Sequence, residues 1–246
     1  MLAVSYKIKG LLFNEQWFSS KVPLTLFDKY RLSCYRSSVE AIKPSGFKQE
    51  VKQTLLNELT LTEEELFSAF KSNLRNEIRK CEKLEDFEYQ SSSLDKKVFL
   101  EFYSRFANAK SLTPISAHSI DKYKDNLLYF SAQLEGKLTN MQVYLLDKEG
   151  GTVRLLHSIS TLYEEESKTT KAKIGWINRY LHWKAMLHFK SLDFKSFDWG
   201  GYTDDKSSPL AGIDKFKASF GGKKVQRYDY YSQPYALMKL IQEKIL

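Results

Sequence analysis

The spacing of apolar and polar positions changes character several times along the chain. Residues 1–60 carry short alternating stretches, VSYKI and later VKQTLLNELTL, separated by KPSGF with the turn formers Pro44 and Gly46. That pattern predicts short strands and loops. Thr62 is followed three residues later by Glu65, ahead of Leu66, Phe67 and Phe70. This is a capping-box start, and it predicts a helix from Glu63 to about Glu82. Phe99, Phe102, Tyr103 and Phe106 recur at helical spacing and predict a second helix over Leu94–Ala109.

The period then shortens. LLYFSAQLEGKLTNMQVYLLDKEGGTVRLLHSIS holds three strand-like runs with turns at Glu135-Gly136 and Gly150-Gly151, the pattern of an antiparallel meander. The polar YEEESKTTKAK reads as a connection, and IGWINRYLHWKAMLHFKSLDF as a helix with Ile177, Leu181, Ala185 and Phe189 on one stripe. A strand SFDWGGY, a helix SPLAGIDKFKASFGG, a strand KVQRYDYYS and a closing helix QPYALMKLIQEKIL follow. Helices around a mostly antiparallel sheet make an α/β (α+β) chain, not a doubly wound nucleotide-binding one.

Composition narrows the classes. Of 246 residues, 42% are hydrophobic and 28% charged, a globular balance with ample core. No apolar run reaches the ~18 residues of a spanning helix. The opening MLAVSYKIKGLLF is broken by Lys7 and Lys9, unlike a signal peptide. Cys34 and Cys81 are isolated, which argues against a disulfide framework or a structural zinc, so the cytoplasm is the expected compartment. A net charge of +8 favours an anionic partner such as a cofactor phosphate, a nucleotide-linked substrate, RNA or a membrane face. Many of these charges are interleaved with acids, as in NLRNEIRKCEKLEDFE, which reads equally as a solvated helix face.

Three segments carry a resemblance: NRYLHW at 178–183, FDWGG at 197–201 and FKASFGG at 216–222. In this order they resemble signatures of GNAT-related acyltransferases of the Fem type, and TLTEEELFSAFKSNLRNEIRKCEK resembles that group's entry helix. The resemblance spans roughly residues 50–235. It implies a GNAT-like domain over residues 61–246, preceded by a reduced segment, 1–60, that stands for a first GNAT-like half. It also implies N-acyl transfer in envelope or polysaccharide biosynthesis, from acyl-CoA (acetyl-CoA) to an amino sugar or other small, nucleotide-linked amine acceptor. Two alternatives stay open: aminoacyl transfer from charged tRNA to a peptidoglycan precursor, and an inactive basic binding protein of the same fold. A homodimer stays open too. The group's longer members have a coiled-coil arm that approaches tRNA; its absence here favours acyl-CoA, although KTTKAKIG keeps only Gly175 of the usual glycine-rich pyrophosphate loop.

Acyl transfer to an amine needs a polarised carbonyl, a deprotonated amine and a protonated leaving group. The resemblance places the carbonyl against LLHSIS and the donor phosphates at the N-terminus of the next helix. Lys171, Lys173, Gly175, Asn178 and Arg179 are the donor-binding candidates there, since a helix N-terminus has unpaired N–H groups and a positive dipole end. His157 on the central strand and Asp198 before Gly200-Gly201 compete with bulk water as proton acceptor. Either is equally readable as a structural residue. Gly200, Gly201, Tyr202, Lys215 and Lys217 are candidates for the substrate pocket. Lys215 and Lys217 are two apart and do not share a helix face, so at most one of them points into the site. Tyr180, Tyr228 and Tyr230 are acid candidates by location alone. His182 reads as packed core, and His118 and His188 have no supporting motif.

Overall fold

A computed structural model of the chain describes residues 1–20, 27–42, 45–92 and 96–245. Pro44 of the expected turn, Leu94 at the expected helix start and Leu246 lie outside the described residues. Among the described residues ten strands form one sheet: β1 (Leu2–Ile8), β2 (Leu11–Trp17), β3 (Leu32–Ser38), β4 (Phe47–Glu58), β5 (Phe87–Ser92), β6 (Leu127–Leu134), β7 (Lys137–Asp147), β8 (Thr152–Ser160), β9 (Ser196–Tyr202) and β10 (Lys223–Ser232). Their order is β1-β2-β3-β10-β4-β9-β8-β7-β6-β5, so β10 lies between β3 and β4. Pairing is antiparallel except at β2–β3 and β8–β9. Residues 1–58 therefore supply four strands of the same sheet that carries the expected meander, now β6–β8.

Helices cover both faces. On one face α1 (Glu63–Ser68), α2 (Ser72–Cys81), α5 (Lys168–Ser191) and α6 (Ala211–Ala218) bury Leu66, Leu74, Ile78, Ile177, Leu181 and Phe189. On the other, α3 (Lys96–Ala109) and α4 (Ala117–Asp121) bury Phe99, Phe102 and Ile120 against Tyr129, Met141 and Val143. Leu2, Val4 and Trp17 join this second cluster. The sheet curls, as strongly twisted sheets do, and brings β1 and β2 over β6–β8. The last helix, α7 (Gln233–Ile245), packs on β3.

Three local expectations change. The capping box forms, with Thr62 accepting from the Glu65 N–H and Glu65 accepting from the Thr62 N–H. The helix nevertheless stops at Ser68 and restarts at Ser72. Phe70, 2% exposed, turns inward onto Trp183 and Phe220, and Arg75 donates to the freed carbonyls of Ser68 and Phe70 at 2.7 Å each. The charged DFEYQ stretch contributes edge strand β5. Most consequential, α5 starts at Lys168, capped by Ser167. The polar run expected as a connection is its first two turns, and the helix meets the core only at Ile174.

Candidate active site

The site grows from one irregularity. Parallel β8 and β9 pair at Thr152↔Ser196, Val153↔Phe197 and Arg154↔Asp198, and then separate. On its other side β8 continues along β7, with a bulge at Leu156 between the pairs Tyr144↔Leu155 and Val143↔His157. Bulges bend a strand and re-aim its side chains. The splay opens a cleft of about 430 Å³, walled by aliphatic and aromatic side chains, with Arg154, His157, Ser158 and Lys217 as polar members. Gly200 marks its apex. Its φ of +76° suits glycine, and a Cβ there would meet the Leu155 carbonyl oxygen at 3.3 Å.

Asp198 lies beneath this apex, fully buried. Its Oδ1 accepts from the Thr54 hydroxyl and, at 2.8 Å, from the Gly200 N–H. Its Oδ2 accepts from Arg154 Nη1 at 2.8 Å. The same Nη1 donates to Ser37 Oγ at 2.8 Å. Both carboxylate oxygens are engaged and sealed from solvent, so Asp198 is the anchor of Arg154 and not the expected proton acceptor. Arg154 passes over Trp17, its guanidinium carbon 5.6 Å from the ring centroid. Trp17 belongs to β2 and lines the cleft, so residues 1–60 supply part of its wall.

Lys217 reaches the cleft from α6 and donates to the Gly201 carbonyl at 2.6 Å. Burial and then the nearby Arg154 pull its ammonium below the usual lysine range, while Asp214 and Asp198 oppose the shift. Two cations thus converge on one small opening. His157 lines the same cleft, between the rings of Phe99 and Tyr103 at 5.8 and 5.4 Å, and burial lowers it to about 4. A base so weak captures little of a proton at neutral pH.

The remaining candidates scatter. Arg179 and Lys215 line a separate hollow beside α2, where Arg179 pairs with Glu77 at 2.7 Å. Gly175 and Asn178 sit in the interior of α5, so the phosphate-binding role expected from a helix start near them has no free N–H groups there. Lys171 is exposed on the helix, and Lys173 approaches Glu135 at 3.9 Å. Tyr202 stacks under Lys224, outside the cleft lining. Tyr180 packs against Phe87 and Tyr89, and the Tyr230 hydroxyl donates to the Glu40 carbonyl. Neither of these nor Tyr228 lines the cleft. Sequence reasoning missed Arg154 and Ser158. The available signal was a lone arginine between Val153 and Leu155 in an apolar strand.

The true start of α5 tests whether a CoA pyrophosphate fits. The Glu166 and Ser167 N–H groups both donate to Glu165 Oε1 at 3.0 Å, and the Thr170 N–H donates to Ser167 Oγ at 3.3 Å. The chain's own carboxylate, flanked by Glu164 and Glu166, engages the two amides just before the helix and leaves the first-turn amides of Lys168 and Thr169 outside this cap, so a diphosphate there would meet acidic side chains.

No family model and no curated protein matches the chain. Solved structures do. FemX superposes with a TM-score of 0.65 at 13% identity, covering 97% of this chain and 86% of that one. The fold is GNAT-like, of the Fem type. The C-terminal domain of a putative lysylphosphatidylglycerol synthetase from Agrobacterium fabrum gives 0.56 at 13% identity over 88% of this chain and 73% of that one. L-PGS from Bacillus licheniformis gives 0.57 at 11% over 98% and 84%. In this Fem-type frame the helix after the splayed strand is α5. Among the described residues no cluster of His, Cys, Asp and Glu is placed to hold a metal ion, and no helix is long and apolar enough to cross a membrane.

Proposed function

We propose that this chain is an N-acyltransferase that moves an aminoacyl group from charged tRNA to an amine of a peptidoglycan precursor, working in the β8–β9 cleft. The observation that carries it is the convergence of Arg154 and Lys217 on a splay where β8 beyond Arg154 has no β9 partner. Cations fixed in a narrow, largely apolar opening stabilise the negative charge that develops on an ester carbonyl as an amine attacks. The amine nitrogen forms the new C–N bond, the C–O bond to the ribose breaks, the amine proton leaves to water and the departing ribose oxygen takes a proton from water. Anchoring by Asp198 and Ser37 holds Arg154 in place beforehand.

The preference for an aminoacyl donor over acyl-CoA is supported by the start of α5, where Glu164, Glu165 and Glu166 set negative charge beside the helix entry and Glu165 engages the two amides just before it. A +8 chain also attracts a polyanion such as tRNA, with an affinity that falls as salt rises. Thermal shift separates the donors. A ligand at ~100 times its Kd stabilises the folded form by about 2.7 kcal/mol. The expected result is no shift with CoA or acetyl-CoA, salt-sensitive retardation of a pool of charged tRNAs on a gel, and transfer of a labelled amino acid from that pool. A saturable rise with CoA, without tRNA retardation, returns the chain to acyl-CoA-dependent acylation of an amino sugar.

A further inference from the structure

A buried polar chain runs from β7 through α5 to the cleft, and its proton positions follow from donor counting. Gln142 Nε2 faces two oxygens of Asn178, the carbonyl at 3.1 Å and Oδ1 at 3.2 Å. Its Oε1 therefore turns to Tyr144 and accepts that hydroxyl's proton at 2.6 Å. Tyr144 has no second proton, so His182 Nδ1, 2.9 Å away, is the donor of that pair. His182 Nε2 is left with a lone pair, 3.3 Å from Ser158 Oγ. The other polar neighbour of Ser158 Oγ is Asn178 Oδ1 at 3.2 Å, also an acceptor. Whichever it chooses, Ser158 spends its proton on the wall, and its lone pairs face the cleft.

His182 keeps this polarity over the working pH range. It is wholly buried, and burial, then Lys217 and Arg179, lower it to about 3. The same cleft is lined by Arg154 and Lys217, whose charges disfavour an ammonium and favour the neutral amine. A neutral amine needs an acceptor for one N–H while its lone pair is aimed at a carbonyl. Among the polar side chains lining the cleft, Ser158 is held as an acceptor by its wall, and neutral His157, with one ring nitrogen free of a proton, is the competing acceptor that the Ser158→Ala variant separates from it.

We infer that Ser158 is the positioning residue for the attacking amine, accepting one of its N–H groups through a hydroxyl whose proton is held by the Gln142–Tyr144–His182–Asn178 wall. The inference rests on acyl transfer in this cleft, but its tests read tautomer and binding and do not depend on the donor. In protein carrying ¹⁵N-histidine, His182 is expected as the Nδ1–H tautomer throughout pH 5 to 8; an Nε2–H tautomer overturns the inference. For binding, the probes are 2,2,2-trifluoroethylamine, a weakly basic amine neutral at pH 7.5, and its N,N-dimethyl analogue, which lacks the N–H. Followed by ¹⁹F NMR, the primary amine is expected to bind about 10-fold more tightly, the upper end of what one net hydrogen bond contributes. The preference is expected to disappear in Ser158→Ala and to persist in Ser158→Thr. Equal behaviour of the two probes in the unmodified protein, or a preference that survives Ser158→Ala, overturns it.

Discussion

Two buried carboxylates, Glu15 and Asp198, show how the same chemistry serves two ends. Glu15 is enclosed on every side. Lys122 reaches both its oxygens at 3.0 Å, Arg36 lies at 3.7 Å, and the hydroxyls of Tyr6 and Tyr235 donate at 2.8 and 3.2 Å. Burial pushes its carboxyl up, but Arg36 and Lys122 outweigh this and hold it below the usual carboxylate range. Lys122 is itself pulled down by loss of water despite Glu15 beside it, yet by distance it is the closer partner, bonding both oxygens where Arg36 approaches one. This knot ties β2 and β3 to α4 and α7 and turns its polar groups inward. Asp198 instead engages Arg154 through one nitrogen and leaves the rest of the guanidinium beside open space. Both networks leave an arginine donor over: Arg36 Nε is buried where nothing reaches it, whereas the spare nitrogens of Arg154 lie beside a cleft that a ligand can enter.

The sharpest way to break the comparison is Glu15→Gln. Removing one partner of a buried ionic group leaves its cations uncompensated, so unfolding in urea is expected to show a loss of roughly 3 kcal/mol. The folded fraction should keep its transfer rate. A rate loss larger than the stability loss would show that the knot feeds the cleft. Arg154→Lys is the converse. An ammonium can still neutralise Asp198 but lacks the fork that serves anchor and cleft together. Transfer should fall about 100-fold, the scale of losing one preorganised donor, while stability changes by less than ~1 kcal/mol.

The smallest effect concerns pH. His157 and His182 sit at about 4 and about 3 in the fold, against 6.5 when free. Below 6.5 the unfolded chain takes up their protons first, so stability falls as pH drops, by about 1.4 kcal/mol per pH unit for each histidine. Glu15 adds its loss only once pH falls below its free value of 4.5. Urea titrations of His157→Phe from pH 6.5 to 4.5 should show a slope smaller by about 1.4 kcal/mol per pH unit, with His182 and the burial-lowered His188 supplying the remainder. An unchanged slope would mean that His157 is solvated.

Local pattern made much of the fold readable, and the misses share a cause. The Thr62–Glu65 box, the β6–β8 meander and the 178–201 helix and strand were legible because neighbours in sequence decide them. The break at Phe70 was not, since a partner elsewhere in the chain pulls that ring inward while the apolar spacing on either side stays helical. Strand β5 was hidden because an edge strand tolerates charge on its open side. The start of α5 was hidden because its first two turns touch little core. Within the site, Asp198, His157 and Lys217 were legible as chemistry-bearing residues near FDWGG, on LLHSIS and in FKASFGG. What each does depends on Trp17, Ser37 and Thr54, contributed from far upstream, and on whether a hydroxyl or amide already occupies it.

The place of β10 between β3 and β4 has a consequence for how the molecule is made. Those two strands emerge from the ribosome long before Lys223–Ser232, and until then each offers an unpaired edge to any neighbour. Closure waits on a contact of long sequence separation, the kind that slows folding. Lys48 and Lys52, exposed on β4, are charges of the sort that keep a waiting edge from finding the wrong partner, so the nascent chain's solubility rests on residues far from the cleft.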